Sequence, residues 1–257
     1  MVGDEKPKHI VLVAGSGGVV QHWHLTSGRM LNTITEKDNQ VYAVDYRADS
    51  RYFATAGKDA FVRLYDETTK QVVHTMNGGN GIATAGHANR IFTLKFNPHD
   101  ENIIMSGGWD NTVQIWDIRQ EHAVRRIFGP HICGDSLDID ENYCVLAGSW
   151  RPDHQLQLFD FGTGRLIEDI KIVQESSASQ PCNLYSCQFA DSSGTLIGYG
   201  GSGNNQAKII SRSSGKIVGA VTGLEKAVYS VTFSSDQRTC AVGGGDGNIY
   251  LLQNNAK

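Results

Sequence analysis

A unit of about 42 residues recurs along the chain and limits the folds open to it more than any other feature. Each unit opens with a run in which apolar and polar residues alternate, the two-residue period of a β-strand. The five runs are VYAVDY at 41–46, IFTLKF at 91–96, GDSLDI at 134–139, LYSCQF at 184–189 and VYSVTF at 228–233. A strand of small residues ending in glycine follows most runs, as in YFATAG at 52–57. The repeat predicts an all-β protein built from short antiparallel strands.

A third strand in each unit ends on an aromatic or apolar anchor residue. The anchors follow one another at intervals of 42, 51, 43, 51 and 42 residues, and they are Trp23, Tyr65, Trp116, Phe159, Ile210 and Leu252. A fourth, more polar strand follows the anchor, for example at 71–76 and 123–128. Because a four-stranded unit of this size cannot bury its faces alone, the units must stack side by side around an axis, as propeller blades do.

The two longer intervals and the two ends of the chain depart from this repeat. Extra loops are expected at 77–86 and 173–183, where an outer strand leads into the next inner strand. Only residues 1–9 precede the first unit, which starts at its second strand, and the sixth unit stops after its third strand at Leu252. We expect one domain over residues 1–257, with repeats near 9–35, 36–77, 87–128, 129–172, 183–222 and 223–253.

The third unit carries the strongest motif, with Gly86-His87 before its first strand and Trp116-Asp117 at the end of its third. With the period of the repeat, this motif resembles the WD-repeat β-propeller family. The resemblance covers essentially the whole chain and implies a ring of four-stranded blades. Here the first and last of about six visible repeats are incomplete, so we expect an open ring of six or seven blades. Such a chain is either a fragment or is completed by a partner, because an open strand edge promotes aggregation.

The side chains of His87, Ser106, Asp110 and Trp116 include the types found in a Ser-His-Asp hydrolase. In the family that the chain resembles, these positions form a buried hydrogen-bond network that stiffens one blade. That interpretation leaves no free nucleophile and no oxyanion hole, so we expect no catalytic residues. The second unit keeps Thr55 as its hydroxyl residue but has no matching histidine, which predicts only a partial network there.

The glycine-rich and cysteine residues predict neither a cofactor nor a metal site. The strings at 15–18, 200–203 and 243–247 precede neither a helix nor a Gly-Lys-Ser/Thr motif, so they do not form a phosphate-binding loop. The five cysteines include no Cys-x-x-Cys pair, which indicates buried reduced thiols rather than zinc ligands. We therefore expect no cofactor and no bound metal.

One position in the repeat points to binding. The second residue of each inner strand is aromatic in four units and a carboxylate in one, giving Tyr42, Phe92, Asp135, Tyr185 and Tyr229. The resemblance places this position at the mouth of the central channel, on the face (here the top face) where outer strands lead into the next inner strands. Aromatic rings beside one carboxylate suit a Lys or Arg side chain of a partner. The alternative is that β-propensity alone selects Tyr and Phe there.

The turns between second and third strands carry Trp109 and Trp150, and the second of these turns also holds Arg151. The resemblance implies that these turns open onto the top face, and Trp and Arg are frequent in binding hot spots. The alternative is that Trp109 only covers the neighbouring blade. We predict a non-enzymatic scaffold or adaptor that holds a partner peptide at the top face. The alternatives are a part of a larger scaffold that assembles through its open edges, and an enzyme on a propeller fold.

The charge balance narrows the class of partner. The net charge is −4 and no Lys/Arg block occurs, so the chain has no electrostatic footprint for nucleic acid or an anionic membrane. No apolar stretch approaches the roughly 20 residues that span a bilayer. We expect protein or peptide partners within a multiprotein complex, and a cytoplasmic location with the nucleus as the alternative.

Overall fold

The structure is a computed structural model that describes residues 9–172 and 181–253. These residues form six antiparallel sheets and no helix. The sheets are the blades of a six-bladed β-propeller, so the predicted fold class is confirmed.

The first three blades contain eleven strands in chain order. Blade one consists of β1 (Ile10–Gly15), β2 (Val19–His24) and β3 (Arg29–Thr35). Blade two consists of β4 (Val41–Tyr46), β5 (Tyr52–Gly57), β6 (Val62–Asp66) and β7 (Val72–Met76). Blade three consists of β8 (Ile91–Phe96), β9 (Ile103–Gly108), β10 (Thr112–Asp117) and β11 (His122–Phe128).

The last three blades contain the other eleven strands. Blade four consists of β12 (Leu137–Ile139), β13 (Cys144–Gly148), β14 (Leu156–Asp160) and β15 (Leu166–Ile170). Blade five consists of β16 (Asn183–Phe189), β17 (Leu196–Ser202), β18 (Ala207–Ser211) and β19 (Ile217–Val221). Blade six consists of β20 (Val228–Phe233), β21 (Thr239–Gly244) and β22 (Ile249–Gln253).

Every blade is a meander of neighbouring strands, and the first and last blades have three strands in the described residues. Inner strand β4 contacts β8, and the contacts continue from β8 to β12, β16 and β20. Strand β1 contacts β4 as β5 contacts β8, which is the relation of a second strand to the next inner strand. Blade one therefore starts at its second strand, as the sequence predicts, and blade six has its first three strands.

The hydrophobic core lies between blades rather than inside any one of them. Trp116, Ile104 and Leu94 of blade three pack against Ala54 and Leu64 of blade two. The opposite face of blade three, with Ile115, packs against blade four. Each strand thus buries alternate residues on its two sides, which is why the sequence alternates in hydrophobicity.

Two local features differ from the predicted units. The run at 134–139 forms a strand only over its last three residues, as β12. The backbone at Gly134 lies so close to Tyr185 that a Cβ atom added there would be 2.3 Å from the Tyr185 carbonyl oxygen. Residues 134–136 do not belong to the strand. The inserted loop at 77–86 is ordered against β11, where Gly79 forms a parallel bridge with Ala123. The second predicted insertion falls mainly on residues 173–180, which lie outside the described residues.

Candidate functional site

Four inner strands share a β-bulge at one place. The pairing of β4, β8, β16 and β20 with the next strand shifts by one residue there. The residues left out of the pairing are Tyr42, Phe92, Tyr185 and Tyr229. A bulge bends the strand and turns the side chain of the extra residue away from the regular alternation. The bulges bring these side chains together across blade boundaries, since Tyr42 stacks on Phe92 and Tyr185 packs on Tyr229.

A cavity of about 510 Å³ opens beside these aromatic residues. Its volume falls in the range of roughly 300–1,000 Å³ that is typical of ligand pockets. Blades three, four and five contribute its lining, which is Asn89, Phe92, Trp109, His131, Cys133, Trp150 and Tyr185. Most of the lining is aromatic, so the cavity suits an apolar group better than a polar one.

One side of the cavity is a continuous series of rings. Tyr42 and Phe92 are stacked with their centroids 4.8 Å apart, and Phe92 lies 5.1 Å from Trp109. The Trp109 ring is in turn nearly parallel to His131 at 6.4 Å. Ring pairs at these distances attract one another, so each ring helps to fix the orientation of the next.

The other side of the cavity is formed by Trp150 and Tyr185, whose ring centroids lie 6.3 Å apart. Tyr185 meets Tyr229 of blade six edge to face at 5.0 Å. Trp109 and Trp150, the two tryptophans of the turns between second and third strands, are both exposed and face the cavity from neighbouring blades. The cavity therefore lies where the two series of rings meet.

Hydrogen bonds hold several side chains of the cavity wall in place. Trp109 donates its indole N–H to Cys133 Sγ at 2.9 Å. Asn111 Oδ1 accepts from Arg151 Nη2 at 2.7 Å and lies 2.8 Å from His131 Nδ1. Burial raises the pKa of the Cys133 thiol, so this side chain is a weak nucleophile. These bonds link the blade-three and blade-four sides of the wall.

Two guanidinium groups, those of Arg90 and Arg151, lie near this cavity. The guanidinium of Arg90 lies 5.0 Å from the Trp109 ring centroid, within cation–π distance. Burial and the nearby Arg151 guanidinium lower the pKa of His131. The histidine ring is therefore neutral at pH 7, because its usual pKa is already about 6.5.

Asp135 does not line the cavity, although the sequence groups it with the four aromatic residues. Its Oδ1 accepts from Thr93 Oγ1 at 2.9 Å, and its Oδ2 lies 3.9 Å from Lys95 Nζ. The side chain of Asp135 is 63% exposed. The reason is local, because blade four has no bulge and a shortened inner strand at this position.

Lys95 is a charged residue that the sequence interpretation missed. Its side chain extends among three carboxylates, and although burial opposes this, Asp135, Asp138 and Asp45 raise the pKa of the lysine. Burial raises the pKa of Asp45 to about 6, and its Oδ2 accepts from the backbone N–H of Phe96 at 2.8 Å. The sequence did contain a signal for Lys95: in the alternating run it lies on the strand face opposite to the core residues.

The four network residues of blade three lie in one hydrogen-bonded series. Trp116 Nε1 donates to Ser106 Oγ at 2.7 Å, Ser106 Oγ lies 2.7 Å from His87 Nε2, and His87 Nδ1 lies 2.8 Å from Asp110 Oδ2. Although burial opposes it, hydrogen bonding to His87 holds the pKa of Asp110 below its usual value. The Ser106 hydroxyl is fully buried and takes part in two contacts, so it has no access to a substrate.

Blade two has its own complete network, which the sequence interpretation missed. Glu36 takes the place of the histidine: it accepts from the Thr55 hydroxyl, from Tyr65 Oη at 3.1 Å and from Arg63 Nη1 at 3.0 Å. Arg63 also pairs with Asp59. The signal was the spacing, since Glu36 precedes Thr55 by 19 residues and His87 precedes Ser106 by 19.

Of the eight residues predicted at the top face, four line the cavity: Phe92, Trp109, Trp150 and Tyr185. Tyr42 and Tyr229 support them from behind, and Arg151 reaches the wall through Asn111. Asp135 lies outside the cavity. His131, Cys133, Asn89 and Arg90 were not predicted as binding residues, because the inter-blade loops that hold them give no periodic signal.

The described part of the chain contains no helix that could span a membrane. A family model described as WD domain, G-beta repeat matches residues 28–66, 79–117 and 215–252. The first and third matches begin near the outer strand of one blade and end at the third strand of the next blade. The second match begins in the loop before blade three and ends at the third strand of that blade, β10.

Three relatives illustrate the similarity. Protein tipD of Dictyostelium discoideum is 23% identical over 174 residues, which are 67% of this chain and 27% of the relative. Target of rapamycin complex subunit wat1 of Schizosaccharomyces pombe is 31% identical over 121 residues, 46% of this chain and 36% of the relative. A U3 snoRNP-associated protein-like protein of Arabidopsis thaliana is 24% identical over 200 residues, 70% of this chain and 38% of the relative.

The chain thus spans less than two fifths of the length of each of these relatives. The three matched repeats and the six antiparallel blades agree with the period of the sequence and with the Trp116-Asp117 motif. Three stretches of the chain match the WD-repeat family model, and the chain is a six-bladed β-propeller.

Proposed function

We propose that the chain is a non-enzymatic scaffold that holds a segment of a partner protein at its top face. The observation that carries the proposal is the aromatic cavity between Trp109 and Trp150. Relatives named as subunits of a target of rapamycin complex and as snoRNP-associated proteins support a role within a multiprotein complex.

The physical case rests on exposed aromatic area that is already ordered. Large side chains on a protein surface lose little conformational entropy on binding when their neighbours fix them in place. Trp109 is fixed by Phe92, Cys133 and His131, and Trp150 by Tyr185. Tryptophan is also enriched among the residues that supply most of the binding energy at protein interfaces.

The experiment compares the wild type with a Trp109→Ala, Trp150→Ala variant in affinity capture from native lysate. A matched control, Tyr143→Ala with Phe161→Ala, removes two aromatic side chains from the turns at the opposite end of blade four. Both variants must unfold cooperatively. We expect the top-face variant to lose partners that the wild type and the control retain, and an unchanged partner set in all three proteins would contradict the proposal.

The finer prediction of a partner Lys or Arg rests on Asp135. Its carboxylate is exposed, and among the described residues Lys95 lies among the carboxylates of Asp135, Asp138 and Asp45, which supports a cation at the channel mouth. In this form of the proposal, Asp135→Asn weakens the capture of a partner while Asp236→Asn, in the turn between β20 and β21 at the opposite end of the blades, does not. Equal capture by both variants would remove the cation from the proposal.

A second candidate function is assembly through the open edges, and two observations favour it. Strand β22 pairs only with β21 in the described residues, and Ile249 and Leu251 on it are exposed. A groove of about 510 Å³ lies beside this strand, with Ile209, Phe233 and Leu252 in its wall. In blade three the fourth strand, β11, lies at the equivalent place and buries Ala123 and Ile127.

The occupant that fits this edge is an extended segment that adds a strand to β22 and places apolar side chains in the groove. A Val218→Asp variant, which places a charge in the exposed wall of the groove, is expected to abolish binding or self-association that depends on the edge, as measured by sedimentation velocity. The top-face variant serves as the control. Partners lost with the edge variant but kept by the top-face variant would favour this second function over the first.

Two predictions from composition belong to the same proposal. We propose that nucleic acid is not a direct partner, and electrophoretic mobility shift with duplex DNA and single-stranded RNA tests this. We also propose a cytoplasmic location, with the nucleus as the alternative, to be tested by microscopy of the tagged protein in its own cells.

A further inference from the structure

The cavity wall and its surroundings differ in charge from the channel mouth. Among the described residues, no carboxylate side chain lines the cavity, and the lining consists of rings, one amide and one thiol. The indole N–H of Trp109 and Nδ1 of His131 already have hydrogen-bond partners, as does the Asn111 side chain. Because most of the lining is aromatic, a group that enters the cavity gains mainly apolar contact.

Two arginine side chains lie near the cavity but are not among its lining residues. Arg90 lies on the ring of Trp109, at the side of blade three. Arg151 lies at the side of blade four, where it bonds to Asn111. Arg90 contacts the wall residue Trp109, and Arg151 contacts Asn111, which bonds to the wall residue His131, so two guanidinium groups lie near the cavity in a chain whose net charge is −4. Asp110, a carboxylate that acts on His131, is already hydrogen-bonded to His87.

A cation in this cavity meets three unfavourable conditions. It would be desolvated without a carboxylate partner, which is costly for any buried charge. It would lie near Arg90 and Arg151, which repel it, and Arg90 already occupies a cation–π position on Trp109. A neutral aromatic or large apolar side chain avoids all three, and acidic residues beside it in the partner would approach the two arginines.

We infer that the cavity binds one aromatic or large apolar side chain of an acidic partner segment, with Arg90 and Arg151 pairing with the carboxylates that flank it. This rests on the proposed function at the top face and assigns the chemistry of the segment. In this arrangement Trp109 and Trp150 form the apolar walls of the site. Arg90 and Arg151 make the binding of acidic partners more favourable than the binding of basic ones.

The test is selection from a displayed library of randomised twelve-residue peptides, followed by fluorescence anisotropy of the selected peptides. We expect the wild type to select sequences with one aromatic or large apolar residue among Asp and Glu. Replacing that residue by Ala, or the flanking acids by Lys, should weaken binding by at least about tenfold. The Arg90→Glu, Arg151→Glu variant should lose the acidic peptides and prefer their Lys counterparts.

An Arg165→Glu variant is the control for the charge change, since Arg165 is an exposed residue in the turn between β14 and β15. It should select and bind the same peptides as the wild type. Selection of Lys- or Arg-rich peptides, peptides without an apolar residue, or no peptide at all would overturn the inference.

The failure of the inference is distinguishable from the failure of the proposed function. If basic peptides are selected and the Trp109→Ala, Trp150→Ala variant loses them, the top face is a binding site but its chemistry is the opposite of what we infer. If that variant binds all selected peptides as the wild type does, binding is not at the cavity and both proposals fail.

Discussion

The third strands of blades three and six have the same alternating pattern, but in the described part of the chain only the strand of blade three is covered by a following blade. Val113 and Ile115 of β10 are 0% and 1% exposed because blade four covers them. Ile249 and Leu251 hold the equivalent places on β22 and are 76% and 65% exposed. The two strands are alike in their alternation, so what differs is the neighbour. In a propeller the burial of a residue is decided by the next blade and not by its own sheet.

The two blades also differ in their polar groups. Blade three buries a Trp–Ser–His–Asp series, whereas blade six has Val242 and Leu252 where Ser106 and Trp116 stand. Asp246 of blade six accepts instead from Tyr250 Oη at 2.6 Å in an exposed turn. A buried, satisfied network adds rigidity, while the same acid in a turn adds little. Four predictions test this contrast.

The largest effect is expected at the anchor tryptophans. Trp116→Ala should lower the free energy of unfolding by about 3–5 kcal/mol, because it empties a fully buried site between blades. Trp23→Ala on the open face of blade one should cost only about 1–2 kcal/mol, because that side chain is half-buried. Urea unfolding of both variants measures the difference, and equal costs would mean that blade one is covered in solution.

The next effect compares the two third strands directly. Ile115→Ala should cost about 2–4 kcal/mol, since it leaves a cavity between blades three and four. Leu251→Ala should stay within about 0.5 kcal/mol of the wild type, as is usual for exposed positions. Thermal unfolding at several protein concentrations checks both. A large cost at Leu251 would show that a second molecule covers β22.

A smaller effect is expected for the hydrogen-bond networks. Ser106→Ala leaves the buried Trp116 N–H without its acceptor and should cost about 1–3 kcal/mol. Tyr250→Phe removes an exposed hydrogen bond to Asp246 and should cost less than about 0.5 kcal/mol. Denaturant midpoints at constant slope give both values. The contrast fails if the exposed bond proves as costly to remove as the buried one.

The smallest effect concerns pH. The pKa of Asp45 is raised by burial to about 6, so the folded state binds a proton that the unfolded state releases between roughly pH 4 and 6. The free energy of unfolding of the wild type therefore falls as pH rises through that window. Asp45→Asn should remove the part of this decrease that comes from the Asp45 carboxyl.

The control for that titration is Asp246, whose pKa is lowered by its hydrogen bond from Tyr250. Its contribution is present above its unfolded pKa and is lost as pH falls below about 4. Asp246→Asn should therefore differ from the wild type in the opposite direction and at lower pH. Urea midpoints measured from pH 3 to 7 separate the two. Parallel curves for Asp45→Asn and the wild type would refute the assignment.

The repeat made the fold predictable, because alternation and anchor spacing are properties of the chain itself. The three strands that the described residues contribute to blade one and to blade six follow from the positions of Ile10 and Leu252 in the repeat. The site was only partly predictable. The four aromatic residues were found by their place in the repeat, but the bulges that aim them are not visible in a pattern with a period of two.

Other parts of the site depend on residues far apart in sequence. Glu36 was missed because it is not the histidine expected before an inner strand, although its separation of 19 residues from Thr55 equals that of His87 from Ser106. Its contacts with Thr55 and Tyr65 reveal its role. Asp135 fits the aligned position but lies outside the cavity, since the run at 134–139 pairs only over its last three residues.

The sequence by itself determined the period, the anchors and the faces of each strand, because these follow from local alternation and from which residues prefer burial. Tertiary structure alone decided which faces are covered and which rings meet, because Trp109 and Trp150 lie in different blades and approach only when the blades stack. It also placed Arg90 and Arg151 near one cavity in a chain that is acidic as a whole.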